Sequence, residues 1–238
     1  MQRENTKTNV GFLMVSLMIL TLIGFYPTYI SKFPGFKNIT NIQHFHGAMM
    51  MAWFVLLIIQ PFLIRYRKYE IHRTLGKLSY VVAPLVLVSI FLAARSEYYR
   101  DLEYATEDQS LGGLALDITN LVAFGVCYTL AILNRHNTAY HMRYMVCTAI
   151  LILGPGVMRI IAIYEIFGPI DFPTNVFYTY AIGISISVGL IIYDLIKGLP
   201  YKPYLVVIGL MIGICFIYLY RMSDWWLAIA GKIVKWTF

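Results

Sequence analysis

Residues 44–64 read HFHGAMMMAWFVLLIIQPFLI and contain no Asp, Glu, Lys or Arg. A helix needs about 20 predominantly apolar residues to cross the hydrocarbon core of a bilayer. Unpaired backbone groups in lipid cost several kcal/mol each, so a run of this kind is expected to cross as a helix. Working outward, six more segments qualify or nearly qualify: Val10–Ile30, Leu75–Ala94, Gly113–Asn134, His141–Phe167, Asn175–Ile196 and Pro203–Arg221. The period-2 alternation of a membrane barrel is absent. The expected fold is an all-α polytopic membrane protein, a single domain of seven transmembrane helices spanning residues 1–238.

The composition agrees with a lipid-facing surface. The chain is 59% hydrophobic and 13% charged, where soluble domains carry roughly 25% charged residues, and its mean hydropathy is +0.68. The formal net charge of +7 lies in short connections between apolar runs, which reads as topology and not as a nucleic-acid stripe. Cys127, Cys147 and Cys215 each lie within an apolar run, with no CxxC pair, which argues against a disulfide framework or zinc knuckle. The first run, after Arg3 and Lys7, is long enough to span and lacks a small-residue cleavage site, so it is expected to be a retained helix.

One side of the bundle collects Arg3, Lys7, Arg65, Arg67, Lys68, Arg73, Lys77, Arg135, Arg143, Lys197 and Lys202. The other collects fewer basic residues and most of the acids, which are densest in the connection Arg95–Gly112. The positive-inside rule then places the N-terminus in the cytoplasm and the C-terminus outside, in a cell membrane. Residues 223–238 are too polar for another span. Ser223 is a candidate N-cap, and Trp226, Ile229, Ala230 and Ile233 form a stripe with Lys232 and Lys235 off it. This is expected to be an amphipathic helix in the membrane interface. Pro84 and Pro155 fall inside predicted helices, and Gly154-Pro155-Gly156 predicts the sharper break. Such breaks near mid-depth often mark transporter binding sites.

Ionisable groups within a bundle are functional candidates. His44 and His46, two residues apart on a helix, point in different directions. His46, Met50, Trp53, Leu57 and Gln60 share one face. His72, Gly76 and Ser79 share another, and His141, Met145, Thr148, Ile152, Pro155 and Arg159 a third. His72 and His141 fall at one depth, with Gln60, Asp194 and the further candidate His136 nearby. His44, His46, Asp117, Asn120 and Arg159 fall towards the opposite surface, where Asp117 and Arg159 are a candidate ion pair. Met49–Met51 point in three directions and read as packing and not as a copper site.

Two histidines from separate helices at one depth are what a six-coordinate haem b requires, with one imidazole on each face of the iron. The layout resembles the two-histidine sites of multi-helix b-type cytochromes. It implies His72 and His141 as axial ligands, Arg73 and Arg143 near the propionates, and electron transfer as the function. Helix four offers Asp117 and Asn120 but no histidine to partner His46, so one haem at most is expected. A second polar pocket of His44, His46, Gln60, Asp117, Asn120 and Arg159 could take a quinone-like or lipid headgroup. A redox partner is implied; nucleic acid is not. The alternative is a cofactor-free small-solute transporter or a structural subunit of a membrane complex, with an intramembrane metal enzyme behind both. No nucleophile elbow or phosphate loop occurs.

The elements His46…Trp53…Gln60…His72-Arg73-Thr74-Leu75-Gly76, followed by His141-Met142-Arg143-Tyr144-Met145 and Arg159, also resemble an uncharacterised family of bacterial multi-pass membrane proteins. In that family a histidine opens one helix, a glutamine closes it, and a His-Arg-x-Leu-Gly element starts the next. The resemblance covers the second to fifth predicted spans and implies a shared signature without an activity.

Overall fold

The computed structural model of the protein describes Gln2–Phe238, with side chains from Asn9 onward; Arg3 and Lys7, used above for topology, lie outside the described side chains. The described chain is all-helical. Its elements are α1 (Gln2–Phe25), α2 (Asn41–Arg65), α3 (Tyr69–Gly76), α4 (Ser79–Asp101), α5 (Glu107–Leu133), α6 (Thr138–Ile163), α7 (Phe172–Ile196), α8 (Lys202–Leu219) and α9 (Asp224–Thr237), with a short 3₁₀ turn at Ile30–Lys32.

Six described helical segments are long and apolar enough to cross a membrane: Asn41–Arg65, Tyr69–Asp101, Glu107–Leu133, Thr138–Ile163, Phe172–Ile196 and Lys202–Leu219. Asn9–Phe25 is apolar but shorter, so the expected first span stops at Phe25 instead of Ile30. The helical membrane bundle stands; a count of seven does not follow from length and composition alone.

Local chemistry sets the helix starts. Thr40 and Gln43 form a reciprocal capping box before α2, and Thr106 and Gln109 another before α5, satisfying backbone donors that a helix start leaves free. The second box explains why the acidic connection is shorter than expected. Arg95–Asp101 stay helical in α4 and Glu107 already belongs to α5. Asp171 caps α7 by accepting from Thr174 N–H at 2.9 Å, and the hydrogen bonds from Thr174 hold its carboxyl below the usual carboxylate range.

Helix α6 is the hub. It packs against α1, α2, α5, α7 and α8, because its middle is small on several sides: Cys147, Thr148 and Ala149 point in three directions and are all fully buried. The expected break at Gly154-Pro155-Gly156 is not one; α6 runs unbroken through it. Gly156 instead lets α1 approach. A Cβ on Gly24 would fall 2.1 Å from the Gly156 carbonyl oxygen, and a Cβ on Gly156 would fall 2.9 Å from Thr21 Cα.

The C-terminal helix α9 packs on α5. Trp226 and Ala230 are buried there, and Trp226 Nε1–H donates to the Leu111 carbonyl at 3.1 Å. Ile229, from the same predicted stripe, is exposed. Ser223 holds the N-cap position, but its hydroxyl donates back to the Tyr220 carbonyl at 2.6 Å and caps nothing. Phe238 closes the chain against Phe91, Tyr98 and Tyr99, with Arg95 Nε donating to its carbonyl at 2.9 Å. Much of the apolar stripe is therefore used on protein.

Candidate functional site

The end of the bundle where α6 begins gathers His72, Gln60 and His141. His72 lies in the first turn of the Tyr69–Asp101 segment, as expected. It sits on α3, a two-turn helix joined to α4 through Lys77 and Leu78, which keep helical dihedrals. Gln60, in the last turns of α2, reaches it. With the amide oriented to satisfy the surrounding backbone, the Gln60 nitrogen donates to the His72 carbonyl at 3.2 Å and to His72 Nδ1, while its oxygen accepts from Gly76 N–H at 3.1 Å. One side chain thus grips α3 at both ends of its last turn. Gln60, placed from the sequence both at the depth of His72 and in the pocket of His46, belongs to the His72 site.

His141, in the first turn of α6, donates Nδ1–H to the Ala131 carbonyl at 2.8 Å. The carbonyl can only accept, so in the neutral imidazole the proton sits on Nδ1 and Nε2 carries the lone pair. Metal-ligating imidazoles are held in this manner, the second nitrogen donating to a carbonyl or carboxylate. His141 and Arg73 both lie within electrostatic reach of His72. Arg73 and His136 are exposed.

Arg143 has another role. It is buried, at 1% exposure, and forms a bidentate pair with Asp194 of α7, itself 3% exposed. Nε and Nη2 donate to the two carboxylate oxygens at 2.5 and 2.7 Å, and Nη1 donates to the Ala139 carbonyl at 2.9 Å. With these bonds made, Arg143 is not available to a propionate. Sequence reasoning had Asp194 at the right depth but did not join the two, because the pairing needs α6 and α7 to face each other.

A closed aromatic layer follows one to two turns deeper. Trp53 is fully buried and donates Nε1–H to Thr148 Oγ1 at 3.1 Å. Its ring packs edge-on against Phe124 and Tyr128. Tyr128 donates to Ser79 Oγ at 3.2 Å, and Ser79 donates to the Gly76 carbonyl at 2.7 Å. Sequence reasoning placed Trp53, Thr148 and Ser79 on interior faces but missed Tyr128, one aromatic among 19 tyrosines.

At the opposite end the members of the expected polar pocket engage separate partners. His44 Nδ1 shares a 2.6 Å hydrogen bond with Tyr29 OH, beside Phe36. His46 Nδ1 meets Ser89 Oγ at 3.2 Å. Asn120 donates to Tyr180 OH at 2.7 Å and to the Leu116 carbonyl at 2.8 Å. The expected Asp117–Arg159 pair is not among the described ion pairs. Asp117 has Glu97, Asp101 and Arg100 around it, while Arg159 lies over the Phe25 ring at 4.3 Å. The helix register explains this: Arg159 faces α1, which comes close because Gly24 and Gly156 carry no side chains.

The residues accommodate an axial imidazole pair only in the Gln60 amide orientation that sets its oxygen against the His72 carbonyl and its nitrogen against Gly76 N–H; the orientation that satisfies the amide does not. With the oxygen at His72 Nδ1, that nitrogen carries the proton and Nε2 is bare on both histidines. With the nitrogen there, the proton moves to His72 Nε2, which then donates. Among the described residues no three His, Cys, Asp or Glu side chains converge as a metal group, so the histidine pair carries the site. In comparisons with known proteins, the chain matches no family model, no curated protein and no solved structure.

Proposed function

We propose that the protein is a membrane electron carrier that holds one haem b between His72 and His141, near the cytoplasmic surface. The observation that supports this is the fixed tautomer of His141, whose Nδ1–H is bound to Ala131 O while Nε2 is free, with a second imidazole in electrostatic reach on a separate helix. A bound haem would supply one-electron redox chemistry. His141 and His72 would hold it through Nε2, Gln60 would keep the His72 proton on Nδ1, and Arg73 would offer the propionates a cation. Arg143 would act indirectly, by locking α6 to α7. Its partners would be a quinone or another redox carrier.

In this reading Asn9–Phe25 completes a seventh crossing, the N-terminus is cytoplasmic and the C-terminus outside, in a cell membrane. Trp225, Ile229 and Trp236 of α9, all exposed, face the lipid interface.

A second reading has one favouring observation, the amide orientation that satisfies Gln60 fully. His72 would then donate from Nε2 while His141 accepts at Nε2, and the pair would bind a polar solute or pass a proton, as a cofactor-free transporter would require.

Absorption spectra of the detergent-purified protein, oxidised and dithionite-reduced, separate the two. The expected result is a Soret band with sharp reduced bands, lost in His141→Ala. A colourless wild type, expressed with haem supplied, would overturn the haem reading and leave the solute site.

A further inference from the structure

At the end of the bundle where α6 finishes, Arg159 has an unmet need. Its Nη1 donates to the Pro155 carbonyl at 3.0 Å and its cationic face rests on Phe25. No carboxylate among the described residues pairs with it. Glu97 is within electrostatic reach, but its carboxylate is bound by Arg100 at 2.9 Å. A guanidinium has five N–H donors, so most of this one's have no protein acceptor. A cation so placed in an apolar helix costs several kcal/mol unless it is paired.

His46, also within electrostatic reach of Arg159, supplies the complementary group. Ser89 has a single hydroxyl proton and gives it to the Val86 carbonyl at 2.8 Å. At His46 it must therefore accept, so His46 carries its proton on Nδ1 and presents a bare Nε2. That nitrogen has no partner among the described residues. The two side chains offer a forked cation and a lone-pair acceptor. They lie where the C-terminal ends of α1 and α6 meet the first turns of α2.

We infer that Arg159 and His46 form a second binding site, for a phosphate that carries a neighbouring hydrogen-bond donor. The guanidinium fork matches two phosphate oxygens, and His46 Nε2 accepts from the ligand's own O–H or N–H. An ethanolamine phospholipid has both groups, and so does inorganic hydrogen phosphate. The site is independent of the haem reading, since it shares no residue with His72 and His141.

The test is the thermal unfolding of the full-length detergent-purified protein with three additions: phosphatidylethanolamine, phosphatidylcholine and inorganic phosphate. Saturation at about a hundredfold excess over Kd should raise Tm by roughly 5–10 °C. A rise with phosphatidylethanolamine well above that with phosphatidylcholine, whose headgroup lacks a donor, supports the site with a lipid as its ligand. A rise with inorganic phosphate alone supports it with a soluble ligand. In either case Arg159→Gln should abolish the rise, Arg159→Lys should keep part of it, and His46→Ala should remove the preference for a donor-bearing headgroup. Equal responses to both lipids in the wild type, no response to any addition, or an undiminished response in Arg159→Gln would overturn the inference. The Tm of each variant without additions, together with the partial response of Arg159→Lys, separates loss of the site from loss of the fold.

Discussion

Replacing Asp194 with alanine tests whether Arg143 is a structural clamp. Both side chains are almost wholly buried, and the carboxylate accepts two of the three hydrogen bonds that the guanidinium makes. Removing one partner of a buried pair leaves an uncompensated charge, at a cost of about 3–5 kcal/mol. For a chain of this size that is a fall in Tm of about 6–20 °C. Replacing both partners with apolar side chains of similar volume, as in Arg143→Met with Asp194→Leu, removes the desolvation cost as well and should recover most of the loss. The assay is thermal unfolding of the two single variants and the double variant in one detergent, followed by tryptophan fluorescence. The reasoning fails if Asp194→Ala unfolds at the wild-type temperature, or if the double variant is no better than the worse single one. If Arg143→Met kept its Tm but lost the Soret band, Arg143 would be a cofactor residue after all.

Three further outcomes follow from the same geometry. Gly24→Ala places a methyl 2.1 Å from a backbone oxygen, about 1.2 Å inside the roughly 3.3 Å that carbon and oxygen tolerate. α1 must retreat from α6, and a loss of about 1–3 kcal/mol should appear in unfolding; unchanged stability would show that the helices do not cross there. Gln60→Glu offers the His72 imidazole only acceptors and should retain the Soret band, whereas Gln60→Leu should shift the reduced spectrum and the midpoint potential; identical spectra and potentials in both would remove Gln60 from the site. Asp171 has a depressed pKa in the folded protein, so its cap contributes above the usual carboxylate range and is lost as pH falls through the folded value. Asp171→Ala should accordingly lower Tm at neutral pH and lose that difference in acid, and an equal difference at both pH values would refute the cap.

How far the sequence reaches can be judged residue by residue. The apolar runs were legible because hydrophobic length acts locally, and residues 44–64 lie inside α2 with a few residues to spare; several ends were not, since α4 runs on to Asp101 and the cap at Thr106 starts α5 at Glu107. The stripe from His46 to Gln60 was legible because a straight helix carries it. What was not legible depends on rotation and neighbours. His72 does open the Tyr69–Asp101 segment, which Arg67 at φ 58° separates from α2, but the grip of Gln60 across that turn was not legible. Gly154-Pro155-Gly156 looked like a break, since composition cannot distinguish a glycine that loosens a helix from one that admits another helix. Arg159 looked like a partner for Asp117 because both belong to the same depth; which side of α6 it faces is decided by the contact of Gly24 with Gly156.

The layer between the two polar ends bears on which function the bundle can support. Its hydroxyls do not form a path. Thr148 spends its proton on the Met145 carbonyl, Ser79 on the Gly76 carbonyl and Ser89 on the Val86 carbonyl. Each short chain ends on backbone, and Trp53 with Phe124 and Tyr128 fills the space between them. A proton or a polar solute crossing from His46 to His72 would have to open this packing, whereas an electron would not. The same layer reaches the histidine site directly, because Ser79, held in turn by Tyr128, donates to the Gly76 carbonyl at the end of α3. The position of His72 is thereby set from the core as well as from α2. If the proposed haem is bound, that rigidity would suit an axial ligand, which must hold its distance to a metal; in the transporter reading the same bonds would have to break for His72 to move.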